Sequence, residues 1–229
     1  MPTIIIAGVD GTGDANDATY RADMANSYVN VLVRRALARG AKGAYHRGPT
    51  LLGNETGPLG AWAQNIIRNN STGVSDPKIV LTGYSRGGAS AITAAQLLGL
   101  RGIAVDVLVL FDAVDRSVTA MADTIPPNVK KVFHARRSSL SLSRPYFGNC
   151  GTYSIPFVTS YTEEFFFCTH GGVGGCPWWN SPTRPATVRL SDLISEDGLP
   201  TAVTYQQDLA GAAAAWTWMA PKLALEGII

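Results

Sequence analysis

The sequence has little of what defines several other classes of protein. Charged side chains make up 16% of its 229 residues and the net charge is +2, which disfavours a nucleic-acid partner. The pairs Lys130-Lys131 and Arg136-Arg137 are interpreted as solvated strand edges rather than a binding patch. The apolar run at residues 4–8 is too short to span a membrane, and no basic segment precedes it. We therefore expect no signal peptide and a protein that is cytoplasmic as synthesised, a pattern also compatible with non-classical export.

Cysteine is scarce as well, with three residues at positions 150, 168 and 176. Three cysteines cannot all pair within one chain, and reduced thiols are the expected state where no signal peptide is present. Cys168 and Cys176 flank His170, so a bridge between these two stays an alternative for Cys150, Cys168 and Cys176. A zinc site at Cys168, His170 and Cys176 would need a fourth ligand at an unusual spacing, and we expect neither a metal nor an organic cofactor.

Apolar residues, at 46% of the chain, are numerous enough for one domain over residues 1–229 with a sizeable core. Short β-branched runs alternate with longer helical patterns, which predicts a doubly wound, mostly parallel α/β sheet. Strands are predicted at 3–8, 42–47, 78–83, 103–111 and 129–135, and helices at 17–39, 58–69, 87–98, 116–123 and 206–225.

Residues 138–185 interrupt this alternation and are rich in serine, glycine, proline and aromatic residues. We expect a lid-like, loop-rich excursion above the carboxyl ends of the strands that partly covers the site. Its aromatic side chains would then form an apolar wall for an acyl chain, although packing of these rings on one another is an equally good interpretation. The aromatic residues are Tyr146, Phe147, Tyr153, Phe157, Tyr161, Trp178 and Trp179.

The most informative segment is Gly83-Tyr84-Ser85-Arg86-Gly87, which has the pattern G-x-S-x-G. An apolar strand pattern precedes it and a small-residue helical pattern follows it, which is the context of a nucleophile elbow. Glycines on both sides of Ser85 would remove the clashes of a sharp turn, and the hydroxyl would stand exposed above the sheet. An ordinary strand-to-helix turn that needs small residues is the alternative.

A serine nucleophile needs a general base, and the chain offers three histidines. Hydrolases with this elbow have the order serine, acid, histidine, which excludes His46 and leaves it a structural or pocket-rim role. His134 lies inside a predicted strand and is expected to be structural. His170 lies in a glycine-rich loop after an apolar run and is the expected base, a loop histidine without a catalytic role being the alternative.

The acid of a triad should follow the strand that comes after the nucleophile helix. Asp112 follows the predicted strand 103–111 directly and is the preferred candidate, while Asp115 is the second. Asp106 lies too early in the strand to reach the site. The alternative for Asp112 is a turn or helix-cap residue.

A glycine-rich segment after the first strand is expected to supply the oxyanion hole. Backbone amides of Asp10, Gly11 and Thr12 would donate to the developing anion, together with the amide of Arg86 after the nucleophile. The segment matches neither G-x-G-x-x-G nor a P-loop. A cation site at Asp10, Asp14 and Asp17 is disfavoured, because their spacing matches no calcium loop.

Three short motifs together resemble one family. They are Val9-Asp10-Gly11-Thr12, Gly83-Tyr84-Ser85-Arg86-Gly87 and His170-x-x-Val173-Gly174-Gly175. They are similar to motifs of the α/β-hydrolase family that includes the catalytic domains of type VI secretion phospholipase effectors and related uncharacterised hydrolases. The resemblance implies an α/β-hydrolase fold with Ser85 as nucleophile, Asp112 as acid and His170 as base. Gly172 stands where that family usually carries an aspartate.

These observations predict a serine hydrolase of carboxylic esters, with acyl or lipid esters favoured, that works through an acyl-enzyme. A thioesterase, an acyltransferase or a peptidase would use the same triad. A non-catalytic binding protein of the same fold is the alternative from another class. The expected partner is a small-molecule or lipid ester, and a transient contact with a membrane surface is compatible with it.

Overall fold

The computed structural model describes residues 2–115, 122–144, 148–177 and 201–229. Six strands and six α-helices follow one another along these residues, and a short 3₁₀ turn lies at Ser139–Ser141. The elements are β1 (Ile4–Val9), α1 (Asp17–Asp23), α2 (Tyr28–Ala38), β2 (Lys42–His46), α3 (Thr56–Ser71), β3 (Lys78–Tyr84), α4 (Arg86–Gly99), β4 (Val107–Phe111), β5 (Lys131–Arg137), β6 (Ser160–Phe166), α5 (His170–Val173) and α6 (Tyr205–Leu225).

The six strands form one parallel sheet in the order β2-β1-β3-β4-β5-β6. This arrangement confirms the predicted doubly wound α/β fold. From β1 the chain crosses to one side to form β2 and then returns past β1 to form β3. In such sheets the loops leave a crevice at the carboxyl ends of the strands where the order reverses. Here that crevice lies between β1 and β3, the strands that precede the predicted oxyanion segment and Ser85.

The core has two apolar layers because successive strand residues point to opposite faces of the sheet. Ile5, Leu81 and Leu108 are fully buried on one face, against α3 and α4. Ile6, Val80 and Val109 are buried on the other face, against α2 and α6. Burial on both sides explains why these strands read as continuous apolar runs in the sequence.

Residues 17–39 form two helices, so the prediction of one continuous helix is wrong. Helix α1 ends at Asp23, and α2 begins after Ser27, whose hydroxyl accepts a hydrogen bond from the Asn30 amide at 3.1 Å. The break lets the same hydroxyl donate to the buried carboxylate of Asp10. A tertiary hydrogen bond therefore outweighs the local helical pattern at this position.

Strand β6 lies within residues 138–185, where the sequence predicted only a loop-rich excursion. It pairs in parallel with β5, and it was missed because an edge strand with polar, exposed residues lacks the apolar pattern of the inner strands.

The aromatic residues of this segment have different surroundings. Tyr153 and Phe157 are exposed, whereas the Tyr161 hydroxyl lies 3.1 Å from His134. That this segment covers the site stays a prediction. Outside the described residues lie Tyr146, Phe147, Trp178, Trp179 and most of the predicted helix 116–123.

Across the part of the chain that the structure describes, none of the helices combines the length and the apolar character needed to cross a membrane.

Asp106 holds the amino end of the sheet, the end opposite the crevice. Its Oδ2 accepts the Ile79 amide at 2.7 Å, and its Oδ1 accepts the Lys130 ammonium at 2.7 Å. Replacing Asp106 with alanine should lower the free energy of unfolding by about 1–2 kcal/mol, because the Ile79 amide loses its acceptor. Urea unfolding measures this change. Asp106→Asn keeps an acceptor oxygen and should lose less, and equal midpoints for Asp106→Ala and the wild type would contradict the assignment.

Candidate active site

Ser85 occupies a strained turn between β3 and α4, with φ +55° and ψ −130°. Positive φ is unfavourable for a residue with a side chain and persists only where the surroundings impose it. A Cβ on Gly83 would lie 2.2 Å from the Gly87 carbonyl oxygen, and a Cβ on Gly87 would lie 2.2 Å from the Asp10 carbonyl oxygen. Both contacts are with backbone, so only glycine fits on either side of Ser85. This is the geometry that the G-x-S-x-G pattern predicted.

The neighbouring strand holds this turn in place. The Ser85 amide donates to the Phe111 carbonyl at 3.1 Å, and the Ser85 carbonyl accepts from the Val114 amide at 3.1 Å. Ser85 as a whole residue is only 2% exposed, so the expectation of an exposed hydroxyl is wrong. Gly11 packs directly beside it, since a Cβ there would lie 3.3 Å from the Ser85 Cβ. The loop after β1 therefore forms one wall of the site.

Asp112 and His170 form a fully buried pair at the carboxyl ends of β4 and β6. The Asp112 Oδ2 and the His170 Nδ1 are 2.6 Å apart. Asp112 itself has φ +43°, which turns its carboxylate toward the histidine immediately after the strand ends. The structure thus brings Asp112, rather than Asp115, against His170. Asp115 lies on the following loop, where its amide donates to the Gly148 carbonyl at 3.4 Å.

Arg137 keeps the Asp112 carboxylate charged. Its guanidinium donates to Oδ2, its backbone amide donates to Oδ1 at 3.3 Å, and the Asn149 side-chain amide donates to Oδ1 at 3.0 Å. Burial by itself would raise the pKa of Asp112, but the Arg137 cation and the hydrogen-bonded His170 outweigh it and hold the pKa far below its usual range. Asp112 is therefore an anion at neutral pH.

The interpretation of Arg137 as part of a solvated strand edge is wrong. Its side chain is buried, and besides Asp112 it binds the carbonyl oxygens of Ser143 at 2.8 Å and Arg144 at 2.9 Å. The signal that could have identified it is the alternation along β5. Arg137 has the same parity as Phe133 and Ala135, which point into the core.

His170 is neutral and presents an unused nitrogen. Burial and, to a smaller extent, the Arg144 cation lower its pKa to about 3, although the hydrogen bond to Asp112 acts in the opposite direction. In the neutral ring, Nδ1–H donates to Asp112, which leaves the lone pair on Nε2. Nε2 is buried without a hydrogen-bond partner among the described residues. The ring packs on Tyr84, the neighbour of Ser85, with centroids 4.9 Å apart. His170 is also the first residue of α5 and not part of a flexible loop.

Two of the three backbone amides predicted for the oxyanion hole in the segment after β1 already donate to other groups. The Asp10 amide donates to the His46 carbonyl at 3.1 Å, and the Gly11 amide donates to the Asp10 Oδ1 at 2.8 Å. Of the three predicted donors, the Thr12 amide makes no hydrogen bond within the described ranges. The amide of Thr12 and that of Arg86, the first residue of α4, therefore stay the predicted donors to a developing anion.

The Asp10 side chain braces this segment from behind. It is fully buried, and its Oδ2 accepts the hydroxyls of Ser27 and of Tyr45, the latter at 2.8 Å. Burial raises its pKa to about 6, although the hydrogen bonds from Ser27, Gly11 and Tyr45 act in the opposite direction. Asp10 thus acts through the backbone that it orients rather than as a donor of its own amide.

The side chain of Arg86 connects three parts of the site, a role that the sequence did not indicate. Its Nε donates to the Thr12 Oγ1 at 2.7 Å, and its other nitrogens donate to the carbonyl oxygens of Thr50 and, at 2.8 Å, Gly53. The guanidinium thereby ties the loop after β1 and the loop after β2 to the residue that follows Ser85.

The contacts of the other two histidines are those of structural residues. His46 ends β2 with its ring 4.7 Å from Trp62. His134 is buried within β5, where its Nε2 accepts the Ala113 amide at 3.2 Å and its Nδ1 faces the Tyr161 hydroxyl. It therefore fixes the peptide that follows Asp112.

Among the described residues, the cysteines and the acidic side chains do not assemble a metal site. Cys150, Cys168 and Cys176 are all buried and no disulfide joins any two of them, so the alternative of a bridge between the last two is not realised. Within residues 2–115, 122–144, 148–177 and 201–229, no group of three or more histidine, cysteine, aspartate or glutamate side chains could hold a metal ion.

No protein-family profile matches the chain, and no curated protein does. Among solved structures, it is similar to lipase B of Aspergillus fumigatus at 12% identity and a TM-score of 0.42, covering 91% of this chain and 60% of the lipase. It is similar to a metagenomic carboxyl esterase at 13% identity and a TM-score of 0.38, covering 93% and 75% of the two chains. A cutinase-like protein from Cryptococcus sp. is 16% identical with a TM-score of 0.32, covering 96% and 95%. Likeness at this level carries no argument about activity.

The buried His134 should make the fold sensitive to acid. Burial, with a smaller contribution from Arg136, lowers its pKa from 6.5 to about 4, so the unfolded chain binds a proton that the folded one excludes. The contribution of His134 to the stability of the fold is complete at pH values above its pKa in the unfolded chain. It is lost as the pH falls from about 6.5 toward 4. Between about pH 7 and pH 5 the wild type should lose about 2 kcal/mol more stability than His134→Gln, which keeps an acceptor for Ala113 but does not titrate. Urea unfolding at both pH values measures this, and equal losses would refute it.

Proposed function

We propose that the protein is a serine hydrolase that cleaves carboxylic esters, with Ser85 as nucleophile, His170 as general base and Asp112 as the acid. The observation that carries this proposal is the buried Asp112–His170 pair, whose imidazole ring packs on Tyr84, the residue before Ser85 in the strained turn. The His170 Nε2 has no hydrogen-bond partner among the described residues. A buried imidazole with one nitrogen held by a carboxylate and the other unused has the arrangement of a general base. Hydrogen bonds between base and nucleophile are often long before substrate binds.

In the first half of the reaction, the His170 Nε2 takes the proton of the Ser85 hydroxyl while the Ser85 oxygen attacks the ester carbonyl carbon. The imidazolium that forms is stabilised by the Asp112 carboxylate, which stays ionised because its pKa is far below neutrality. His170 then gives its proton to the leaving alcohol, and the acyl group remains on Ser85. Water activated by the same histidine releases the acid and restores the enzyme.

Negative charge develops on the carbonyl oxygen during both halves of the reaction. The amides of Thr12 and Arg86 are the proposed donors to it, and α4, a helix of 14 residues, directs its positive end toward the same point. The Arg86 guanidinium and the Asp10 carboxylate hold the segment that carries the Thr12 amide. This rigidity supports the proposal because donors fixed in advance need no reorganisation when the charge appears.

Exposed leucines beside the site favour an ester with an acyl chain. Leu52, 96% exposed, follows β2, and Leu140, 74% exposed, follows β5, so both lie at the carboxyl edge of the sheet with Ser85. Apolar surface at this edge suits acyl or lipid esters better than small polar esters. Thioesters and amides use the same catalytic groups and are distinguished by substrate assays.

Covalent labelling tests the activated serine directly. A fluorophosphonate should form one adduct on the wild type, with a new bond from the Ser85 oxygen to phosphorus and loss of fluoride, and none on Ser85→Ala. Intact-mass analysis measures the adduct. Asp112→Asn should slow labelling and lower kcat by about 10³- to 10⁴-fold, because the imidazole loses its orienting carboxylate. Asp115→Asn is the matched control and should behave as the wild type. If the folded wild type is never labelled, a non-catalytic binding role becomes the preferred interpretation.

Acyl-chain preference tests the substrate class. With 4-nitrophenyl esters, kcat/KM should rise with acyl length, since each buried methylene contributes about 0.8 kcal/mol. The double substitution Leu52→Ser and Leu140→Ser should reduce this rise and leave acetate hydrolysis unchanged. Leu100→Ser, which alters a leucine 85% exposed at the opposite edge of the sheet, is the control. A sharp optimum at the acetyl ester would exclude lipid preference.

A further inference from the structure

The turn that carries His170 begins with half of a capping box. Thr169 is the N-cap of α5, and its Oγ1 accepts the amide of Gly172, the third residue of the helix, at 3.0 Å. In a complete capping box the side chain of that third residue reaches back and accepts the amide of the N-cap residue. Gly172 has no side chain, so the second half has to come from elsewhere.

Asp208, on the first turn of α6, supplies it. Its Oδ1 accepts the Thr169 amide at 2.7 Å, and its Oδ2 accepts the Thr169 hydroxyl at 3.0 Å. The carboxylate is fully buried, and α6 itself starts with a complete capping box between Thr204 and Gln207. Asp208 therefore projects from a well-defined helix end, and both hydrogen bonds go to the residue directly before His170.

The space taken by Asp208 is the space that a side chain on residue 172 would need. A Cβ built on Gly172 would lie 2.2 Å from the Asp208 Oδ1. Gly211, three residues further along α6, permits this close approach, since a Cβ there would lie 2.6 Å from the Cys168 Cβ. One carboxylate position next to Thr169 can thus be filled from residue 208 or from residue 172, where the resembling motif has aspartate.

We propose that Asp208 is a positioning residue of this hydrolase, which completes the capping box of α5 from another helix and thereby sets the backbone of His170. The inference rests on the proposed function. The two carboxylates then have complementary roles, since Asp112 orients the imidazole ring and Asp208 holds the peptide that carries it. The His170 amide, which donates to the Ser143 Oγ at 2.9 Å, is the third constraint on this residue. A displacement of about 1 Å in such a group lowers rates by about 10²-fold.

The test compares ester hydrolysis and fluorophosphonate labelling in Asp208→Ala, Asp208→Asn and the wild type. Asp208→Ala should lower kcat and the labelling rate by about 10- to 100-fold with KM within about twofold, because the base is misplaced while the acyl site is intact. Asp208→Asn retains an oxygen that accepts the Thr169 amide, so its kcat and labelling rate should lie between those of Asp208→Ala and the wild type. All rates are taken well below each variant's unfolding midpoint. If Asp208→Ala does not fold, Asp208→Asn takes its place in the test, and a lower kcat at a similar KM is again the expected result.

A second substitution tests whether position 172 can replace position 208. Asp208→Ala combined with Gly172→Asp moves the carboxylate to the other source and should recover most of the lost kcat. The backbone allows this, because Gly172 is not among the glycines with positive φ. Gly172→Asp alone forces two carboxylates into one space and should be worse than Asp208→Ala. A folded double variant no faster than Asp208→Ala would overturn the capping-box assignment.

Asp106→Ala is the matched control for a purely structural carboxylate, because Asp106 also accepts a backbone amide but lies at the far edge of the sheet. It should lower the unfolding midpoint and leave kcat unchanged. Wild-type kcat and labelling in folded Asp208→Ala would overturn the positioning role while Ser85 remains labelled. Absence of labelling in the wild type would instead reject the proposed function, and this inference with it.

Discussion

The site depends on one buried charge, the carboxylate of Asp112. Taking an anion out of water is costly unless a cation and hydrogen-bond donors replace the lost hydration. Arg137 provides both, since its guanidinium and its backbone amide reach the two oxygens of Asp112 from the neighbouring strand. Parallel pairing of β4 with β5 brings these residues together. The ion pair thus links the sheet to the proposed chemistry, because only an ionised Asp112 can orient His170.

Two buried arginines organise the loops around this charge. Arg137 binds Asp112 and the carbonyl oxygens after the 3₁₀ turn, while Arg86 joins the elbow to the loops after β1 and β2. A planar guanidinium presents several donors in fixed directions, so one side chain can satisfy carbonyl groups from separate segments. The loops at the carboxyl edge are consequently tied to one another by these hydrogen bonds.

Most of the sheet and the sharp turn at Ser85 could be predicted because they follow from local patterns. Buried parallel strands appear as apolar runs, and the two glycines around Ser85 belong to a motif of five residues, although the carbonyl oxygen that Gly87 avoids is that of the distant Asp10. The polar edge strand β6 was missed since it has no such run, and the break at Ser27 was missed since its cause is the distant Asp10. Both failures arise where a tertiary contact outweighs the local pattern.

The sequence by itself determined the first five strands, most of the helices between them, the elbow of Ser85 and a short set of candidate acids and bases. Only the tertiary structure decided between Asp112 and Asp115 as the partner of His170, since both follow the same strand and only the folded chain brings one of the two carboxylates against the imidazole ring. It also decided which amides of the segment after β1 are available, and it revealed Arg137 and Asp208. These assignments depend on hydrogen bonds between residues far apart in the chain, and a pattern of neighbouring residues does not show which distant groups meet.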